Sequence, residues 1–367
     1  MRSRFLGVAL AAACTGCSLL VSLSGLSGEA TTTNGSDGGD TADAASRGPD
    51  GELATPFRPA YLFATGGAAS AVNPLDPTAS AKTFFAEIHA DGTLGGWKAG
   101  PDLPEAREQH IAVGVGSALY VLAGRKNKTD ATDTSAFALH VLPDGGLTPF
   151  DSLPSLPSAV SAGAVAAGGH VHAFDYDISR SIYANETSEG LGAWRVQGDT
   201  IDAGTFFGSG AAVGTDVFWF GPYSRAIRWP VNDDGSLGAS QPTTPPPGTT
   251  DHLVIASSNH FLYMVGEWTV DRARNDVFVA AISPTHEVGS WVATEPFPIP
   301  RIDYFATVYG DWMYVVGGEE PLTAAVSPVL DVYGAKIGAD GKIGLWKKMS
   351  ATAIPEYHAY TFAIVAP

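Results

Sequence analysis

The stretch DGTLGGW (91–97) returns five times in altered form: DGGLTPF (144–150), SEGLGAW (188–194), DGSLGAS (234–240), THEVGSW (285–291) and DGKIGLW (340–346). The last positions of the six copies are Trp97, Phe150, Trp194, Ser240, Trp291 and Trp346, spaced by 53, 44, 46, 51 and 55 residues. A period near 50 made of short β-rich segments specifies a radial array of sheets, a β-propeller in which each repeat is one blade.

The second repeat shows the unit. It reads HIAVGVG, ALYVLAG, SAFALHVL and LTPFDSLPSLP, four short segments parted by Gly, Asp and Pro. The Asp-Gly pair falls between the third and fourth strands, where a tight hairpin needs positive φ and Gly supplies it. The ring that ends each motif is expected to fill the space between neighbouring blades, since one indole covers much apolar surface. The first repeat lacks an innermost strand, and HAYTFAIVA (358–366), after the sixth motif, supplies one. A terminal strand that completes the first blade removes the exposed sheet edges. The expected fold is therefore all-β: a six-bladed β-propeller over 57–367, with four-stranded antiparallel blades and the C-terminal strand closing the first blade.

The N-terminal region reads differently. MRSR is basic, FLGVALAAAC is apolar, and small residues follow, the pattern of an export signal. The apolar run is shorter than the ~20 residues a spanning helix needs. CTGC (14–17) resembles a bacterial lipobox, a resemblance that implies a signal over 1–17 and lipidation of Cys17. The stretch from Ser27 to Glu52 is rich in Gly, Ser, Thr and Asp and lacks aromatics and apolar periodicity, so 18–56 is expected to form a flexible stalk. The expected location is the bacterial cell envelope, at the outer membrane or cell surface, with membrane contact only through the lipid. Cys14 and Cys17 are the only cysteines, which excludes a disulfide, a thiolate nucleophile and a Cys-ligated metal from the ring. A net charge of -17 opposes binding to nucleic-acid phosphates and anionic lipid.

The combination of YVVGG (314–318), DGxLxxW and LPxxRxxH (103–110) resembles bacterial kelch-type propellers, the galactose-oxidase-like group; Gly doublets stand at 66–67 and 317–318. The copper-radical oxidases of that group need a cysteine cross-linked to a tyrosine, which this ring cannot offer. The resemblance implies that the loops between second and third strands emerge on one face with the blade-to-blade connections. On that face the connections place His110, His252, Tyr304 and His358 at the starts of innermost strands, with Arg107 and Arg301 before them. The loops add Arg125, Trp268, Arg272 and Arg274, side chains suited to carboxylates, sugars or a protein surface.

The functional expectation is recognition without catalysis: a monomer that presents this face to a protein or carbohydrate outside the cytoplasm, with no cofactor and no metal. A rival reading is a glycan hydrolase or lyase at the channel mouth, which requires Glu105, Arg107, Asp251, Arg301, Asp303 and Glu356 to converge. A third is a structural envelope component. His170 and His172 lie two apart in a strand, so both point to one side and could hold a metal, although packing is the expectation.

Overall fold

The computed structural model describes residues 59–69, 78–126, 130–160, 163–174, 181–187, 190–198, 208–221, 224–248, 253–268, 273–302, 304–322, 325–349, 353–354 and 358–367. Six antiparallel sheets form the ring expected from the repeats. Blade 2 is Ile111–Val115, Ala118–Leu122, Ala136–His140 and Asp151–Leu153, and blade 3 is Gly163–Ala167, His170–Phe174, Ser181–Thr187 and Arg195–Gln197. Blade 4 is Ser209–Val213, Asp216–Gly221, Arg225–Pro230 and Gln241–Pro242; blade 5 is Ile255–Ser257, Phe261–Trp268, Ala273–Ala281 and Val292–Ala293. Blade 6 is Phe305–Tyr309, Trp312–Val316, Val332–Lys336 and Lys347–Lys348, and a hairpin, Glu319–Leu322 with Ala325–Pro328, extends from it. The signal, Cys17 and the stalk lie outside the described residues.

Blade 1 closes the ring. Its strands Ala60–Ala69, Thr83–Ile88 and Lys98–Ala99 are joined by His358–Val365, which pairs antiparallel with Ala60–Ala69 from Tyr61↔Val365 to Ala69↔His358. The inner strands touch in succession around the axis, and His358–Val365 contacts both Ile111–Val115 and Phe305–Tyr309. Small residues dominate here (GAVAA, SGAAV) because strands crowd at the hub. Gly114 shows how closely they pass: a Cβ there would stand 1.8 Å from the Ile364 carbonyl oxygen.

Between the blades two devices repeat. In the first, the turn glycine of one blade rests on an aromatic that begins the second strand of the blade before it. Gly92 meets Trp312, Gly145 meets the Tyr61 hydroxyl, and Gly341 meets Phe261; a Cβ would lie 2.2, 2.7 and 2.5 Å from them. The φ values of these glycines, 81°, 81° and 79°, are the left-handed values expected for the Asp-Gly hairpins. In the second device, three of the four motif tryptophans donate their indole N–H to the preceding blade. Trp194 bonds the Pro154 carbonyl at 2.9 Å, Trp291 that of Thr244 at 3.0 Å, and Trp346 that of Glu295 at 3.2 Å. The rings do occupy the seams, half-buried, with Trp346 edge-on to Phe297 at 5.1 Å.

Blade 4 has Ser240 where the others have a ring, and a different clip serves its seam. The Gln197 side-chain amide donates to the Leu237 carbonyl at 2.8 Å and accepts from the Leu237 N–H at 2.7 Å. Thr244 and Thr294 bond the equivalent backbone of Val288 and Ile343 in the next two seams.

Candidate functional site

The second strands end in a left-handed kink on the loop-bearing face. Gly66 and Gly67 have φ of 54° and 91°, Ala123 and Gly124 of 57° and 93°, and Gly317 and Gly318 of 64° and 94°. The kink makes room for side chains from two blades. His110 Cε1 lies 2.6 Å from the Cβ position of Gly66 in the preceding blade, and the His110 Cβ lies 2.7 Å from that of Gly124 in its own. Tyr304 repeats the arrangement: its hydroxyl lies 2.5 Å from the Cβ position of Gly266, and its Cβ lies 2.7 Å from that of Gly318. A glycine doublet here is thus a packing requirement. Ala123 occupies the first position of one doublet at φ 57°, a conformation few non-glycine residues adopt.

The polar groups at these strand starts are engaged inside the fold. His110, 1% exposed, shares a 2.9 Å hydrogen bond between Nε2 and Thr65 Oγ1, and Thr361 Oγ1 donates to the His110 carbonyl. Burial, and secondarily the Arg107 charge, push the imidazole pKa down to about 3, so the ring is neutral. Tyr304 donates its hydroxyl hydrogen to the Val265 carbonyl, and burial raises its pKa far above the ordinary phenol value. The closing strand differs in register. Thr361 faces Thr65, while His358 pairs with Ala69 beyond a bulge, so His358 is not level with His110 and Tyr304. Its side chain, that of Trp268, and residues Asp251, His252, Arg272, Asp303 and Glu356 lie outside the described residues.

Arg107 and Arg301 are equivalent and both buried. Arg107 Nη1 donates to the Ala123 carbonyl at 2.6 Å and to Ser135 Oγ at 2.9 Å, with the guanidinium 4.5 Å from the Phe137 ring centroid. Arg301 donates to the Gly317 carbonyl at 3.0 Å and to Asp331 at 2.7 Å, and lies over Phe297 and Tyr333. Each ties a blade-to-blade connection to the kink, and a planar five-donor head over a ring suits that task.

The exposed part of this face carries paired charges. Arg125 meets the buried Glu108 at 2.9 Å, Lys126 meets Glu105 at 3.2 Å, and Arg274 meets the buried Glu267 at 3.4 Å and Asp276 at 3.9 Å. Of the carboxylates required by a channel-mouth enzyme, the described Glu105 lies 3.7 Å from Arg107. Among the described residues no group of three or more His, Cys, Asp or Glu could hold a metal ion. His172 is fully buried in blade 3, stacked on Tyr183 at 5.8 Å, and burial pushes its pKa down to about 3.

Two features were not foreseen. At the seam of blades 4 and 5 the motif reads THE in place of DG. His286 there takes φ 61°, and its Nδ1 contacts the buried Asp216, which also binds Arg228 Nε at 2.8 Å. The other is a cleft between blades 3 and 4, on the face opposite the loops. Topology and site together define a six-bladed β-propeller whose channel-mouth polar side chains brace the scaffold. No family model matches the chain, and no curated protein matches it.

Proposed function

We propose that this propeller is a kelch-type, lipid-anchored envelope protein, lipidated at Cys17 and exported, that recognises a protein or glycan through its loop-bearing face without catalysing a reaction. The observation that carries this reading is the commitment of Arg107, His110, Arg301 and Tyr304 to bonds within the fold, whereas Arg125 and Arg274, though paired with Glu108 and Glu267, stay partly exposed. Variable loops on a rigid ring are where specificity resides. Arg125, Arg274, Arg272 and Trp268 are the proposed contacts, together with His252 and His358 on the adjoining segments.

The test is affinity capture of envelope proteins and a glycan array, both run with the purified chain and with a Trp268→Ala, Arg272→Ala, Arg274→Ala variant. Loss of a specific partner in the variant supports the reading. Equal recovery of every partner by both proteins overturns the assignment of those residues. Anchoring is read separately: metabolic labelling with a fatty acid should mark the chain and fail to mark a Cys17→Ala variant.

A further inference from the structure

On the turn-bearing face, the seam of blades 3 and 4 sets a turn glycine against an imidazole. Two turn glycines lie on the rings of Trp312 and Phe261, and a third on the Tyr61 hydroxyl. Gly235 of blade 4 instead lies on His170, with a Cβ position 2.2 Å from the imidazole Cδ2. His170 Nδ1 is 2.8 Å from the Gly168 carbonyl oxygen, which can only accept, so Nδ1 carries a hydrogen and Nε2 is the ring nitrogen left for a ligand. Here the seam opens into a cleft of about 440 Å³, inside the ~300–1,000 Å³ range of small-molecule sites.

Strand register builds one wall. His170 faces Asn185, His172 faces Tyr183, and Tyr183 faces Arg195 on the next strand. Directly opposed residues share a side of the sheet, so His170 and Asn185 form one rank, and His172, Tyr183 and Arg195 the next, on one side of blade 3. The stack on His172 fixes the Tyr183 ring at the back of the cleft. The opposite wall is the Asp233–Asp234 turn of blade 4, to which Arg195 is tied by a 3.3 Å bond to the Asp234 carbonyl. Glu186, whose carboxyl pKa is raised by desolvation, completes the rim.

We propose that this cleft binds a saccharide ring without acidic substituents. An imidazole nitrogen, an amide with both donors and an acceptor, a guanidinium and carboxylates match hydroxyl groups, each of which donates and accepts. An apolar ligand would leave these groups unpaired. Phosphates and acidic sugars are opposed by three carboxylates against one arginine. A bare metal ion lacks the required group of ligands among the described residues.

The site is independent of the loop face, so either can fail alone. The test is saturation-transfer NMR and calorimetry on the full chain with glucose, galactose, glucosamine, N-acetylglucosamine and glucuronic acid as probes. At least one neutral or amino sugar should bind and glucuronic acid should not. Arg195→Ala and Asp233→Lys, exposed positions on two different blades, should each weaken binding about tenfold with unchanged melting temperature, as expected for lost charged hydrogen bonds. Trp268→Ala, on the other face, should leave it intact. Absence of binding by every neutral and amino sugar, equal binding of glucuronic acid, or parental affinity in a folded Arg195→Ala or Asp233→Lys variant would overturn the proposal.

Discussion

Changing Gly341 to alanine tests the seam device at a single atom. Gly341 has φ 79°, and an added Cβ would stand 2.5 Å from the Phe261 ring of the preceding blade. A non-glycine residue in the left-handed region costs about 1–2 kcal/mol, and forcing an extra carbon into packed surroundings costs about 1–3 kcal/mol more. Gly341→Ala should therefore destabilise by about 2–5 kcal/mol in chemical denaturation. Gly310 provides the control: it also has positive φ, 58°, but nothing lies within 4 Å of its Cβ position. Gly310→Ala should show only the backbone cost, about 1–2 kcal/mol. A double-mutant cycle then isolates the clash, because in a Phe261→Ala background Gly341→Ala should fall to the Gly310→Ala cost. Additive effects of Gly341→Ala and Phe261→Ala would refute the idea that the turn glycine exists to admit the neighbouring ring.

Other consequences can be measured on the same protein. His110 and His172 are held neutral, with pKa values of about 3, by burial. Between the ordinary histidine value of ~6.5 and about 3 the unfolded chain binds these protons and the folded chain does not, so stability falls as pH falls through that window. At pH 5 each should have lost about 2 kcal/mol, read as a falling melting temperature, and a His172→Phe variant should show a shallower decline. Arg301→Ala leaves the Gly317 carbonyl without its partner and Asp331 with Lys348 alone, and should cost about 1–3 kcal/mol in chemical denaturation. Gln197→Ala removes both bonds to Leu237 and should cost about 1–3 kcal/mol, with faster amide exchange at Leu237.

The fold was legible in the sequence where geometry admits few residue types. Asp-Gly turns, motif tryptophans and a displaced inner strand each follow from a steric need, and each lies where the repeat places it. The channel mouth was less legible. Arg107 and Arg301 read as surface cations, yet they are buried by partners 16 and 30 residues away, which local sequence does not reveal. His358 aligns with His110 in sequence, but the bulge after Thr65 moves it out of level. The Asp216–His286 contact joins residues 70 apart, and its only local sign is THE where the motif has DG. The cleft between blades 3 and 4 is lined by His170, at the position held by Trp312, Tyr61 and Phe261 in other seams, an equivalence visible only once the seam partners are known.

Ring closure is tested most directly by a cross-link between the two ends of the folded region. Thr65 and Thr361 are paired residues of Ala60–Ala69 and His358–Val365, and cysteine is close to threonine in size. In a Thr65→Cys, Thr361→Cys variant whose Cys14 and Cys17 are changed to serine, mild oxidation of the folded protein should yield one intramolecular disulfide. It is read as a 65–361 linked peptide by mass spectrometry and as loss of both free thiols. Two thiols that stay titratable in the folded, oxidised protein would contradict closure of the first blade by the C-terminal strand.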